Sequence, residues 1–240
     1  EKMPRTNKTS EAKVQALFDR IASTYDSTNN AISLGMHKHW RKKTMEQIPL
    51  SVGDQALDLC CGTGDWTIDL AEIVGPTGKV VGLDFSQKML EIAKNKLKQT
   101  NFSPQTSLIQ GDAMSLPFEN DSFDLVTIGF GLRNVPDAFQ VLKEMKRVLK
   151  PGGMVACLET SQPENKLIYP FWYLYFKLVP TIAKLKHNKR QDYVYLQQTT
   201  QKFVHAKELK QMFQDTGLIK SSYTTFMFGA CALHIGYKRK

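Results

Sequence analysis

Cysteine is scarce. Only Cys60, Cys61, Cys157 and Cys231 occur in 240 residues. Two are adjacent and none forms C-x-x-C, which excludes a disulfide framework and a cysteine-built zinc site and fits a reducing compartment. No uninterrupted apolar run reaches the roughly 20 residues that a bilayer span needs. The polar, charged first residues carry no hydrophobic signal segment, so secretion is not expected. Internal repeats and low-complexity tracts are missing too, and no Lys-Ser or Lys-Thr pair follows a glycine-rich turn, which removes the P-loop pattern. What is present suits one globular domain with appended segments: 42% hydrophobic and 23% charged residues. Thirty-two Lys and Arg against 23 Asp and Glu leave a net charge of +9. That balance suits an anionic partner, nucleic acid or an acidic membrane surface, with plain solubility as the commoner explanation.

The chain is organised around Ala56-Leu57-Asp58-Leu59-Cys60-Cys61-Gly62-Thr63-Gly64-Asp65. An apolar run, two glycines and then Trp66-Thr67-Ile68-Asp69-Leu70 predict strand, tight turn and helix. Glycine allows positive φ and close ligand approach, so Gly62 and Gly64 suit a small molecule against the turn. The next strand, Lys79 to Phe85, ends in Asp84, about 20 residues beyond the glycines, where an acid accepts hydrogen bonds from ribose hydroxyls. A dinucleotide fingerprint needs a third glycine, but Thr67 stands there. A nucleoside without phosphates remains, and S-adenosylmethionine fits: Asp58 or Asp65 meets its cationic methionine end and Asp84 its ribose. Asp112, after Ile109-Gln110-Gly111 and before Ala113-Met114, is placed either to accept from an adenine amino group or to close a strand-end turn.

Residues 1–9 are polar and predict a disordered tail. A helical N-terminal lid is expected over 10–50. Within it, residues 22–41 interleave Tyr25, Asn29, His37 and Trp40 with turn-forming asparagines, which fits either a lid over the site or two capped helices. From 51 to 240 the pattern alternates: strand 55–60, helix 66–73, strand 79–84, helix 86–99, strands 106–110 and 123–128, helix 137–149, and strand 153–159 after a turn at Lys150-Pro151-Gly152-Gly153. This predicts an α/β, Rossmann-like doubly wound, mostly parallel sheet with ligands at the strand carboxyl ends, where Gly64, Asp84, Asp112 and Gly129 fall. A helix with Leu209, Met212 and Phe213 on one face follows, then a closing β-hairpin over 219–228 and 230–238.

A substrate-cap insertion is expected at about 162–204. Its run from Leu167 to Ala183 includes Phe171, Trp172 and Phe176, and is broken by Pro170, Lys177 and Pro180. Lys184, Lys186, His187, Lys189 and Arg190 follow. An apolar surface beside a basic patch fits docking on anionic lipid, and a cap whose aromatics pack on the sheet fits equally. Both hold if the helices wall a hydrophobic pocket.

Tyr25-Asp26 through Asn29, Ser33 and Trp40, then Gly131-Leu132-Arg133-Asn134-Val135, then Arg147 to Gly153 through Leu158-Glu159-Thr160-Ser161, resemble the menaquinone and ubiquinone biosynthesis C-methyltransferases, a family of class I S-adenosylmethionine-dependent methyltransferases. The resemblance runs from about Phe18 to the end of the chain. Thr28 replaces a common Met and Thr160 a frequent Phe, which blurs naphthoquinol against benzoquinol. The resemblance implies transfer of a sulfonium methyl to a ring carbon of a polyprenylated naphthoquinol in menaquinone biosynthesis, with a ubiquinone-pathway benzoquinol as the alternative, and no metal. Arg133 is expected to stabilise the oxyanion or a bound water, Tyr25 and Asn134 to orient the quinol, and His37 is open between proton acceptor and loop histidine. The cofactor would be held by Asp58, Gly62, Thr63, Gly64, Asp84, Phe85, Asp112, Ala113 and Gly129. The quinol would meet Asn29, Trp40, Asn134, Phe171, Trp172 and Phe176. A cytoplasmic enzyme peripheral at the inner face of the membrane is expected, its oligomeric state open between monomer and homodimer. A nucleic-acid methyltransferase would carry Asn/Asp-Pro-Pro-aromatic after the fourth strand; Gly129-Phe130-Gly131-Leu132 stands there instead, so nucleic acid is not an expected partner.

Overall fold

The computed structural model describes residues 7–185 and 190–240. Seven strands form one sheet in the order β3-β2-β1-β4-β5-β7-β6. They are β1 (Gln55–Leu59), β2 (Lys79–Asp84), β3 (Thr106–Gln110), β4 (Phe123–Gly129), β5 (Leu149–Thr160), β6 (Ile219–Phe226) and β7 (Cys231–Tyr237). The first five are parallel, and β7 joins β5 and β6 antiparallel. Central strands of a doubly wound sheet are covered on both faces, so they read as continuous apolar runs. Ala56–Leu59 and Leu125–Ile128 are buried throughout. The strand order reverses between β1 and β4, and the crevice at their carboxyl ends is where such sheets take ligands.

Helices α4 (Asp65–Val74), α5 (Gln87–Leu97), α6 (Ala138–Val148) and α9 (Ala206–Asp215) flank the sheet. Ser86 caps α5 by accepting from the Met89 N–H at 3.2 Å, and Asp137 caps α6 by accepting from Gln140 N–H at 3.0 Å. Leu142, Met145 and Phe213 pack with Leu57 and Val126 on one face, while Trp66, Leu70 and Val74 pack with Val80 and Leu125 on the other. Burial of a side chain such as Phe213 is worth about 2–3 kcal/mol.

The lid consists of α1 (Glu11–Ile21), α2 (Tyr25–Ile32) and α3 (Met36–Met45), and the insertion of α7 (Tyr169–Leu185) and α8 (Arg190–Lys202). These two regions, distant in sequence, share a third apolar cluster: Leu17, Ile21, Val179, Ala183 and Tyr193, with Met89 of α5. Two boundaries differ from expectation. The stretch expected to be disordered does not extend to Asn7, which is buried because its side-chain amide donates to the Asn134 carbonyl at 2.8 Å and the Tyr195 hydroxyl at 2.7 Å. Strand β5 starts at Leu149, paired with Phe123, and carries Pro151 and Gly152 through a register shift rather than beginning after them. Lys186, His187 and Lys189 of the expected basic patch lie outside the described residues, as does the Arg190 side chain; Lys184 is exposed. Among the described residues no helix is long and apolar enough to cross a membrane.

Candidate active site

A cleft of about 390 Å3 opens at the carboxyl ends of β1, β2 and β4, lined by Gly62, Asp84, Phe85, Asp112, Ala113 and Gly129 among others. Asp84 closes β2 and is buried, and its two oxygens accept from the backbone N–H groups of Gly62 at 2.9 Å and Ser86 at 2.8 Å. Burial pushes its pKa up to about 6 against those bonds. Each oxygen keeps a lone pair for a diol. Asp112 is exposed and lines the cleft, with Oδ1 accepting from the Met114 N–H at 2.8 Å, so it closes the strand-end turn while its carboxylate stays open to the cleft. Among the described residues the buried Oδ1 of Asn134, which lines this cleft, has no hydrogen-bond partner. At Gly62 (φ +53°) an added Cβ would find only the Tyr25 ring edge, at 4.0 Å, and would stand in ligand space. These features fit a nucleoside.

Gly64 behaves differently from expectation. It lines none of the three site cavities. Its φ of +83° starts α4, and a Cβ there would lie 2.8 Å from the Ala93 Cβ on α5, so this glycine serves helix packing. Gly129 does both: it lines the cleft, and a Cβ would strike the Trp66 ring at 2.9 Å.

A second, smaller cavity adjoins the cleft and is lined by Asp58, Thr63, Asp65, Arg41 and His37. Asp58 sits on buried β1 and accepts from the hydroxyls of Thr67 at 2.7 Å and Thr127 at 2.9 Å. Burial still lifts its pKa to about 7. Burial pushes Asp65 upward too, but the Lys96 ammonium 2.7 Å away holds its carboxyl below the ordinary range. Thr63 donates to Asp26 of the lid at 2.6 Å, Lys96 pairs with Asp26, and Arg41 pairs with Asp69 at 2.6 Å, so the lid is tied to the core around this cavity. Both acids considered for a cationic methionine end therefore face one space, with Arg41 as a counterpart for its carboxylate.

The third cavity, about 200 Å3, lies between the lid and the insertion. Asn29, Trp40, Trp172 and Phe176 line it as expected, and the Trp172 and Phe176 rings stack at 4.7 Å. Phe171 does not: it is 77% exposed, on the outward side of α7. Nor does Asn134, which faces the nucleoside cleft, so its expected role in orienting the quinol is not the one its position supports. Arg133 lines the cavity with its guanidinium paired to buried Glu159 at 2.6 Å and donating to the Phe130 carbonyl at 2.6 Å, while its buried Nε has no partner among the described residues. Tyr25 and Phe130 line both this cavity and the cleft and so form the partition between them. Burial raises the Tyr25 pKa, with the Arg133 charge opposing. His37 Nδ1 lies 2.6 Å from the Ser33 hydroxyl. Burial, with Arg41 and Lys38 nearby, lowers its pKa, so the ring is neutral at pH 7 and able to take a proton.

Several lining residues escaped the sequence reading. Tyr175 donates to the Ile32 carbonyl and joins α7 to the lid. Tyr193 is buried against the cavity, and Thr160 and Thr200 meet with their hydroxyls 3.2 Å apart. Only Thr160, as a departure from the family pattern, carried a signal. Among the described residues no group of three or more His, Cys, Asp or Glu side chains is placed to hold a metal ion.

The strand order, the acid closing β2 and a cleft at the switch point are those of a class I S-adenosylmethionine-dependent methyltransferase. The fold is shared with a SAM-dependent methyltransferase of Thermotoga maritima, at a TM-score of 0.68 and 18% identity over 94% of this chain and 100% of that one. The model of the ubiE/COQ5 methyltransferase family matches residues 6–238, and the chain belongs to that family. It is 54% identical over 239 residues to the demethylmenaquinone methyltransferase of Lactobacillus johnsonii, covering 100% of this chain and 98% of the relative. To the enzyme of that name from Staphylococcus aureus it is 51% identical over 235 residues, covering 98% and 96%.

Proposed function

We infer that this methyltransferase methylates a ring carbon of a polyprenylated demethylnaphthoquinol, releasing menaquinol, S-adenosylhomocysteine and a proton. The observation that carries the reading is the largely apolar cavity that has Arg133, Tyr25 and His37 among its polar side chains and shares Tyr25 and Phe130 with the nucleoside cleft. Asp84, Asp112 and Asn134 would hold the nucleoside, and Asp58, Asp65 and Arg41 the methionine end. Bound there, S-adenosylmethionine supplies an electrophilic methyl on a cationic sulfur.

A quinol carbon is a poor nucleophile until its neighbouring hydroxyl loses a proton and the oxyanion feeds electrons into the ring. Arg133 supports this step by stabilising the oxyanion, or a water that receives the proton, and its pairing with Glu159 fixes where the guanidinium stands. Tyr25 orients the quinol at the partition. Neutral His37, held by Ser33, accepts a proton, either from the hydroxyl or from the ring carbon after transfer. Trp172 and Phe176 flank the ring or the first prenyl unit, and the apolar walls exclude water. A substrate with a prenyl tail would bring the enzyme into peripheral contact with an anionic membrane at its inner, cytoplasmic face.

The test is methyl transfer from labelled S-adenosylmethionine to reduced demethylmenaquinol in detergent, with a demethoxyubiquinol-type benzoquinol and tRNA as parallel acceptors. Label in the naphthoquinol is expected. Label only in the benzoquinol reassigns the substrate, and label only in RNA ends the quinol reading. Arg133→Ala should cut kcat by about 100-fold or more while S-adenosylmethionine still binds; near-normal turnover would remove Arg133 from the chemistry.

A further inference from the structure

Seven non-glycine residues of the described chain have positive φ, and four of them line the site: Cys60 and Phe130 the nucleoside cleft, Leu34 and Met227 the quinol cavity. Phe228 follows Met227. Leu34, Met227 and Phe228 have φ of 51°, 48° and 57°. Bulky side chains are rarely found there, because the Cβ crowds its own backbone. Burial does not compensate, since the three are 73%, 47% and 75% exposed. Strained backbone that holds large apolar groups in water points to a partner. Leu34 lies in the turn between α2 and α3 and Met227 between β6 and β7, yet both belong to one cavity, so two separate loops give its mouth an apolar rim.

Helix α7 continues the rim. Trp172, Tyr175 and Phe176 face the cavity, while Phe171, Leu174 and Leu178 are exposed on the adjoining side. The helix has Lys177 and Lys184 and no acidic residue, in a chain of net charge +9. A mouth facing bulk water would drag a prenyl tail through it, whereas a mouth facing acyl chains would not. We propose that Leu34, Met227, Phe228 and the outer face of α7 dock into the headgroup boundary of an anionic bilayer, and that the quinol ring enters the cavity from the membrane through this rim while its tail stays in lipid. This rests on the quinol reading above and names the surface that serves it.

The test uses the full chain and two variants at residues outside the cavity lining, Phe228→Gly and the triple Phe171→Ser, Leu174→Ser, Phe228→Ser. Co-sedimentation is measured with vesicles of phosphatidylglycerol and phosphatidylcholine, and with phosphatidylcholine alone. The wild type should bind the anionic vesicles and lose most binding to the neutral ones. The triple variant should bind the anionic vesicles about tenfold or more weakly and lose turnover on vesicle-borne long-tailed quinol, with a soluble tail-less quinol methylated as before. Phe228→Gly relieves the left-handed backbone, so its Tm should hold or rise while vesicle affinity falls, a combination that a purely structural role would not give. Wild-type-like vesicle binding by the triple variant overturns the proposal. So does a change from dimer to monomer by light scattering with vesicle binding intact, which would make this face a contact between two copies. Failure of the wild type to methylate the tail-less quinol would strike the quinol reading, while vesicle binding still judges the rim.

Discussion

Among the described residues, Asp58 and Asp84 are buried carboxylates without a cationic partner in direct contact, held by hydroxyls and backbone N–H groups. Burial raises their folded pKa values to about 7 and about 6. Unfolded, both titrate near 4. Between about pH 4 and 7 the folded protein therefore keeps protons that the unfolded chain has lost. Stability falls as pH rises through that window, and the full cost is present above it, opposite in sign to a salt-bridged carboxylate. A ligand with a sulfonium, an ammonium and a ribose diol favours both charged forms. Its binding should release protons, and its affinity should rise about tenfold or more between about pH 5.5 and 8 and then level off. Calorimetry in two buffers of different ionisation heat measures both quantities. A flat affinity over that range would mean that neither acid meets the ligand in its charged form.

At the scale of elements, the two glycines of the β1–α4 turn divide their work. Gly64→Ala should destabilise the fold by roughly 1–3 kcal/mol, through the clash with Ala93 on α5, with ligand affinity little changed. Gly62→Ala places its methyl in ligand space and should cost about tenfold or more in affinity with a smaller loss of stability. Denaturant titration beside calorimetry separates the two. Sequence could not make this division, since both glycines need positive φ and what each Cβ would meet depends on α5 and the lid. Apart from β5, which starts at Leu149 and runs through the expected turn, the strands were legible to within about two residues, because short apolar runs bounded by glycine, proline and polar turns leave little choice of boundary. Side-chain direction was less legible. Arg133 and Asn134 lie on one 3-10 turn, Leu132–Asn134, where each residue rotates by about 120°, so neighbours face different cavities. In α7 a continuous aromatic run offers no polar contrast to tell Phe171 from Trp172, and α8 and the lid decide which face is covered. The meeting of Thr160 with Thr200 depends on the whole insertion folding back.

The molecule as a whole is one sheet carrying two helical appendages that meet in a shared apolar cluster. The lid is tied down by Asp26, Arg41 and Thr63 around the methionine-end cavity, so a ligand filling that cavity binds lid and core together. S-adenosylhomocysteine at about 100 times its Kd should add about 2.7 kcal/mol of stability, a Tm rise of roughly 5–10 °C. It should also protect the segment 22–41 from limited proteolysis. Differential scanning calorimetry and a proteolytic time course check the pair; a Tm rise without protection would show that the ligand binds the sheet and leaves the lid free.

Tyr25 lines all three cavities, and Asn29 and His37 line two. Tyr25, Asn29, His37 and Phe130 are thus common to the cavity proposed for the acceptor and the one proposed for the methionine end of the donor. On the proposed assignment, lifting that shared wall to exchange spent nucleoside would open the acceptor cavity as well, which favours an order of donor first, acceptor second and nucleoside product last.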